Sequence, residues 1–125
     1  MAKQNELDLF GKILMEEVRD QVINNWDKIC DGTLKGKTAT RVREIISSSD
    51  GKIAEVLSEV LPLIVDNAIH NLMWSLEQED SIKLMVSADD GADRDIAKES
   101  DGLSGELYGA NGWIARFSNE RHDEA

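Results

Sequence analysis

Residues 53–78 read IAEVLSEVLPLIVDNAIHNLMWSLEQ, and their apolar side chains recur at steps of three and four positions. This period is typical of one face of an α-helix, so the stretch predicts a long helix. Its predicted apolar face consists of Ile53, Leu57, Val60, Leu61, Ile64, Ala68, Leu72 and Leu76. Because proline lacks the backbone N–H and disfavours a helical residue before it, Pro62 predicts a kink or a break near Val60–Leu61.

Two further helices are predicted before this stretch. Apolar residues with the same period run from Leu7 to Ile29 and predict a helix over about residues 5–30. Gly32 is suited to the left-handed position that closes such a helix. Thr38 is a candidate N-cap for a second helix, which the polar stretch Ser47–Gly51 ends.

The apolar period changes to two after Asp80. Ile82, Leu84 and Val86 alternate with more polar neighbours, which predicts a half-buried strand. The segment Asp89–Gly91 is a turn signal, and Arg94–Glu99 is the predicted returning strand. The result is a predicted β-hairpin.

The last part of the chain predicts a loop followed by a short helix. Glycines crowd residues 102–112, which indicates an irregular but anchored loop, and Trp113–Phe117 fits one helical turn. Helices followed by a hairpin predict the α+β class. The chain is short enough for one domain, which we assign to residues 1–118, with a polar tail at residues 119–125.

Composition predicts a cytoplasmic protein. The chain has 125 residues and a single cysteine, Cys30, so no disulfide forms within the chain and a reducing compartment is expected. Cys30 continues the apolar stripe of the first helix and is expected to be a buried small hydrophobe. No apolar run approaches the length of a membrane span, and the N-terminus lacks the apolar core of a signal peptide.

The charge of this chain is distributed unevenly. Residues 1–49 carry eight acids and eight bases, whereas residues 50–106 carry fourteen acids and four bases. An acidic face of this kind repels nucleic acid and attracts basic proteins. The basic residues from Lys28 to Arg43 are diluted by Asp27, Asp31 and Glu44, and the overall negative charge opposes DNA or RNA, so we expect no nucleic-acid partner.

Two loops resemble ligand-binding motifs only in part. Gly32–Thr38 is one residue shorter than a phosphate-binding loop and follows a helix instead of a strand, so it predicts an ordinary interhelical loop. Asp89, Asp90, Asp93 and Asp95 could offer oxygen ligands to calcium, but their spacing is not that of an EF-hand. We therefore expect a solvated turn and no metal or cofactor.

Asp66 and His70 are the strongest candidates for acid–base chemistry. They lie four residues apart on the predicted helix, where a carboxylate can orient an imidazole. The only other histidine, His122, belongs to the predicted polar tail, and zinc sites need three or four protein ligands. We expect His70 to pack beside Trp74 without a catalytic role.

The three tryptophans lie on three separate predicted elements. Trp26, Trp74 and Trp113 are expected to meet in one core. The alternative is that one of them is exposed beside the acidic surface, because aromatic anchors rimmed by charge are common in protein-binding sites.

Two segments resemble known bacterial sequences. They are residues 69–77, IHNLMWSLE, and residues 100–118, SDGLSGELYGANGWIARFS. Both are similar to segments of small acidic bacterial proteins of unassigned function. In size, acidity and lack of catalytic motifs, the chain also resembles toxin immunity proteins of the contact-dependent inhibition type. The resemblance implies a bacterial origin.

The leading hypothesis is an acidic protein-binding module, an immunity or antitoxin-like inhibitor that occludes a basic, nuclease-type toxin. On this hypothesis we expect no enzymatic activity, and we expect a monomer or homodimer without a membrane or nucleic-acid partner. The predicted charge face is Glu77, Glu79, Asp80, Asp89, Asp90, Asp93, Asp95, Glu99 and Asp101, and the candidate aromatic anchors are Trp74, Tyr108 and Trp113.

Two alternatives remain open at this point. One is a small enzyme or ligand-binding domain that uses Asp66, His70 and the glycine-rich loop 102–112. The other is a self-associating structural subunit that buries the apolar third helix against a copy of itself. A pocket that joins Asp66 and His70 to the loop would favour the first, and the oligomeric state would decide the second.

Overall fold

The computed structural model describes the backbone of residues 2–123 and the side chains of residues 6–123. Its architecture is α+β, as predicted, with helices in the N-terminal part and one two-stranded sheet after them. The helices are α1 Ala2–Ile13, α2 Asp20–Asp31, α3 Lys37–Ser47, α4 Ile53–Gln78, α5 Ile96–Glu99 and α6 Trp113–Phe117. The strands are β1 Met85–Ser87 and β2 Asp93–Asp95.

The first predicted helix is helical throughout but changes its hydrogen-bond pattern in the middle. Leu14–Arg19 form a π-helical segment between α1 and α2, and the Asp20 N–H bonds to the Met15 carbonyl, five residues back. At the end of α2, Gly32 has φ +88° and its N–H caps the carbonyls of Lys28 and Ile29. The predicted left-handed position of Gly32 is therefore confirmed.

The α4 helix has the predicted bounds and does not break at Pro62. Proline leaves the carbonyl of Ser58, four residues earlier, without its helical donor. The guanidinium of Arg121 takes that place, because its Nε and Nη2 donate to the Ser58 carbonyl oxygen at 3.1 and 2.9 Å. The Arg121 side chain thus supplies the hydrogen bond to the Ser58 carbonyl that the helix cannot supply at Pro62.

The α3 helix begins one residue before the predicted cap. Gly36, with φ +132°, occupies the N-cap position, and α3 starts at Lys37. The Thr38 cap is therefore wrong, because the glycine turns the chain into the helix without a side-chain hydrogen bond.

The hairpin is shorter than predicted. Met85 pairs with Asp95 and Ser87 with Asp93 in an antiparallel register, and Gly91 takes φ +84° in the turn. The returning strand ends at Asp95, so its predicted extension to Glu99 is wrong. The next residues form α5 instead, because this helical turn places Ile96 in the core with no exposed surface.

One hydrophobic core joins α1, α2 and α4 to the C-terminal elements. Its buried members are Leu7, Leu14, Met15, Ile23, Val65, Ile69, Met73, Ile96, Leu103, Leu107, Trp113 and Ile114. Trp113 is fully buried and packs against Gly11 so closely that a Cβ there would collide with the indole ring. Phe10 meets the same indole edge-to-face, with ring centroids 5.8 Å apart.

A polar network connects the π-helical segment to the end of the chain. Arg19 is fully buried and donates to both carboxylate oxygens of Asp66, at 2.6 and 3.2 Å. It also donates to Ser118 Oγ at 2.8 Å and to the carbonyls of Glu120 and Arg121 at 3.4 and 3.0 Å. One guanidinium thus holds α4 and the segment after α6 together.

Residues 119–121 are bonded to the helices, although they belong to the predicted polar tail. The Asn119 N–H donates to the carboxylate of buried Asp20 at 2.9 Å. Arg121 makes a two-point ion pair with Asp27, at 2.9 and 3.0 Å. The domain boundary at residue 118 stays a prediction. No helix among residues 2–123 combines the length and apolarity needed to cross a membrane.

Candidate protein-binding surface

Two acids in the hairpin half of the predicted charge face accept hydrogen bonds from the hairpin itself. Asp89, Asp90 and Asp93 are exposed, whereas Asp95 is half-buried. Asp93 accepts a hydrogen bond from Ser87 Oγ at 3.0 Å, and Asp90 accepts one from the Ala92 N–H at 2.9 Å. These contacts fix the turn and leave its carboxylates in solvent.

Arg94 gathers three carboxylates around one guanidinium. Its nitrogens lie 3.6 Å from Glu6, 3.4 Å from Asp90 and 3.8 Å from Glu99. Glu6 and Glu99 are mostly shielded from solvent. Arg94 on the hairpin therefore holds α1 through Glu6 and α5 through Glu99, and the predicted face residue Glu99 contributes little open charge.

The other half of the predicted face lies at the C-terminal end of α4. Glu77 accepts a hydrogen bond from the backbone N–H of Ser104, so it anchors the glycine-rich loop. Glu79 accepts from the hydroxyl and then the N–H of Ser81, and these bonds lower the pKa of its carboxyl group. Asp80 and Asp101 are exposed. No hydrogen bond or ion pair between described residues connects the two groups of acids.

Two of the three predicted aromatic anchors are exposed on the surface. Trp74 is 51% exposed and Tyr108 is 41% exposed. The Tyr108 hydroxyl lies 3.1 Å from Nδ1 of His70, and His70 lies one helical turn before Trp74. We call His70, Trp74 and Tyr108 the aromatic patch. Trp113 is no anchor, because its side chain has no exposed surface.

The tryptophans do not meet in one core, so that expectation is wrong, and one of them, Trp74, is exposed as the alternative required. Trp113 lies in the core, Trp74 projects from α4, and Trp26 is half-buried between α2 and α4. Trp74, the exposed tryptophan of the aromatic patch, lies one turn before the end of α4 at Gln78.

The α4 helix also exposes a row of five apolar side chains, and four of them belong to the predicted apolar face. Val56, Val60, Ile64, Ala68 and Leu72 recur at steps of four and are all exposed. We call this row the α4 ridge. The sequence does carry a signal of this exposure. Residues 60–76 are apolar around most of the helix, and one buried face requires fewer apolar side chains than that.

A groove of about 690 Å³ runs beside the α4 ridge, between α2 and α4. Its walls are almost entirely apolar and include Val22 and Trp26 from α2, and Leu57 and Leu61 from α4. Cys30 lines the groove and is only half-buried, which corrects the expectation of a fully buried residue. Burial, followed by Asp27 and Asp31, raises the pKa of the Cys30 thiol.

Asp66 and His70 do not form an acid–base pair. Asp66 binds Arg19, and the His70 ring contacts the Tyr108 hydroxyl. Asp66 and Tyr108 nevertheless line one groove of about 660 Å³, together with His122. The glycine-rich loop thus contacts His70 and approaches Asp66, but each side chain serves a different partner.

The remaining motifs have ordinary structural roles. Gly32–Thr38 joins α2 to α3 and has a helix on each side, so it lacks the strand that a phosphate-binding loop requires. Within residues 2–123, no group of three or more histidine, cysteine or acidic side chains is arranged to hold a metal ion.

Comparisons with known proteins were made at three levels. Models of protein families, curated proteins and solved structures contain no match to this chain.

Proposed function

We propose that this protein is a binding module for a basic protein, of the kind that inhibits a nuclease-type toxin. The observation that carries the proposal is the aromatic patch. Trp74 and Tyr108 are exposed at the end of α4, where Glu79 and Asp80 extend into solvent. An exposed aromatic pair next to carboxylates is the arrangement expected of an anchor with a charged rim.

The two kinds of residue contribute to different steps of binding. Burial of a half-exposed tryptophan in a partner's pocket makes it a candidate hot spot, worth about 2 kcal/mol or more. The surrounding acids act at longer range, because a net charge of −11 increases the encounter rate with a positive partner. Affinity is therefore assigned to the aromatic patch and association rate to the acids.

The negative charge of this protein favours a partner with a basic cleft, such as a nuclease-type toxin. Enzymes that cleave nucleic acid bind phosphates and therefore carry a basic cleft. An acidic protein that docks over such a cleft blocks the substrate and gains fast association at the same time.

The test is affinity capture from the source organism, with identification of bound proteins by mass spectrometry. Wild-type protein is compared with a Trp74→Ala/Tyr108→Ala variant and with an Ile82→Ala control, whose side chain is exposed outside the patch. We expect a basic protein that wild type and control retain and the patch variant loses. The captured basic protein, once purified, should lose nuclease activity when it binds wild-type protein. Capture that is identical for all three proteins would count against the patch.

A second candidate function is small-ligand binding in the groove lined by Asp66, Tyr108 and His122. Asn67 lines the same groove and is exposed, so a larger side chain at this position would fill the groove. Asn67→Trp should abolish retention of a metabolite in equilibrium dialysis against a cell extract and leave protein capture unchanged. If wild type retains no small molecule, this function is excluded.

A further inference from the structure

The Arg121 guanidinium fills a notch between α2 and α4. The walls of this notch are the Asp27 carboxylate on α2 and the Ser58 carbonyl on α4, and we call these two acceptors the arginine notch. Nη1 and Nη2 donate to the carboxylate at 2.9 and 3.0 Å. Nε and Nη2 donate to the carbonyl at 3.1 and 2.9 Å. A carboxylate and a carbonyl placed side by side in this way match the planar fork of a guanidinium.

The arginine notch does not depend on Arg121 for its existence. Pro62 has no backbone N–H, so the Ser58 carbonyl lacks its helical donor whether or not Arg121 is present. The Asp27 carboxylate belongs to a different helix, and both α2 and α4 contribute residues to the hydrophobic core. The two acceptors therefore stay next to each other when the guanidinium leaves.

The Arg121 side chain is held less firmly than the backbone that carries it. Buried Arg19 and Asp20 bind main-chain groups of residues 119–121, so this backbone is anchored. In contrast, the Arg121 side chain is 37% exposed and the Asp27 side chain is 41% exposed. Ion pairs this open to solvent contribute little net free energy. The guanidinium can therefore leave the notch while the chain end stays in place.

The notch opens into the groove that reaches the aromatic patch. Ser58 and Arg121 line the groove of about 660 Å³ together with Tyr108. Along α4 the lining extends from Ser58 to Asn67, which is about 14 Å at the helical rise of 1.5 Å per residue. An extended peptide covers this length with about four residues. One short segment can therefore place an arginine in the notch and also contact Tyr108.

We propose that the arginine notch is a binding site for an arginine in an extended segment of a basic partner, and that Arg121 occupies this site in the free protein until that arginine replaces it. The proposal takes the basic character of the partner from the proposed function. Lysine fits the notch less well, because an ammonium group lacks the planar fork that bonds to both acceptors. Glu59 and Asp123 line the same groove and are exposed, so they favour a positively charged segment.

The first test is an NMR titration of the isotope-labelled full chain, which detects millimolar binding. The probe is the acetylated, amidated peptide Gly-Gly-Arg-Gly-Gly, and its matched control carries lysine in place of arginine. Arg121→Ala should bind the arginine peptide about fivefold or more tightly than wild type, because no internal side chain competes for the notch. It should bind the lysine peptide more weakly than the arginine peptide.

Two further variants make this test specific. Asp27→Asn in the Arg121→Ala background should remove the preference for arginine over lysine. Arg116→Ala is the matched control, because Arg116 makes a similar two-point ion pair with Asp8, at 2.8 and 3.1 Å, away from the chain's single proline. Its affinity for the arginine peptide should equal that of wild type. Circular dichroism of each variant checks that it is folded.

The second test follows the displacement of Arg121 in wild type. As the arginine peptide saturates the protein, the Nε–Hε signal of Arg121 should move to the position of a solvated guanidinium. The proposal is overturned by a lack of binding to Arg121→Ala, by equal affinities for the arginine and lysine peptides, or by an Arg121 signal that bound peptide leaves unchanged. The proposed function is judged separately, because its capture experiment changes Trp74 and Tyr108 and leaves the notch intact.

Discussion

Replacement of Arg19 by alanine tests the role of the buried polar network. The substitution removes five hydrogen bonds from a side chain with no exposed surface. It also leaves the carboxylate of Asp66, which is only 16% exposed, without its cationic partner. Loss of one member of a buried ion pair costs about 3–5 kcal/mol.

A loss of this size is measurable because domains of this kind are stable by only about 5–15 kcal/mol. The assay is urea denaturation followed by circular dichroism, with the free energy of unfolding extrapolated to water. The matched control is Arg41→Ala, whose side chain is 74% exposed and lies 3.8 Å from Glu44. Its expected cost is below about 0.5 kcal/mol.

Arg19→Lys separates charge from geometry. Lysine keeps the positive charge but cannot reproduce the planar two-point contact with Asp66 together with the bonds to Ser118 and Arg121. It should therefore recover only part of the loss. If Arg19→Ala costs less than about 1 kcal/mol, or no more than Arg41→Ala, the network does not hold the chain end to α4 as described.

Three further changes test separate contacts. Gly11→Ala should lower the free energy of unfolding by about 1–3 kcal/mol, because its methyl group collides with Trp113, and an unchanged denaturation midpoint would contradict that packing. Arg121→Ala should lower the free energy of unfolding by about 1 kcal/mol, because the Ser58 carbonyl loses its donor beside Pro62. Proteolysis of residues 119–123 should also become faster in this variant. Alkylation of Cys30 by iodoacetamide should be slower at pH 7 than alkylation of a solvated thiol, because a raised pKa leaves less thiolate. The rate should rise at higher pH. A rate already maximal at pH 7 would refute the raised pKa.

The sequence predicts the helices well because their apolar period is a local property. The bounds of α4 follow directly from the pattern between Ile53 and Gln78. The same pattern does not show how many neighbours are available to cover it. Ile64 and Leu72 fit the predicted buried face but are exposed, because the rest of the chain covers only one side of this helix.

The side-chain pairs of the site depend on contacts between distant parts of the chain. Asp66 binds Arg19, 47 positions away, rather than His70 on the next turn. His70 in turn meets Tyr108, 38 positions away. Spacing along one helix could not predict either pair. The burial of Trp113 is equally non-local, because it depends on the absence of a side chain at Gly11.

The proposed division of labour between aromatic and acidic residues is tested most directly by the binding kinetics of the captured basic partner. Association and dissociation rates are measured by surface plasmon resonance at several salt concentrations. Trp74→Ala should raise the dissociation rate by about tenfold or more and leave the association rate nearly unchanged. A Glu79→Gln/Asp80→Asn variant should lower the association rate and reduce its salt dependence. An unchanged dissociation rate for Trp74→Ala would contradict the proposal that this protein binds its partner through the aromatic patch.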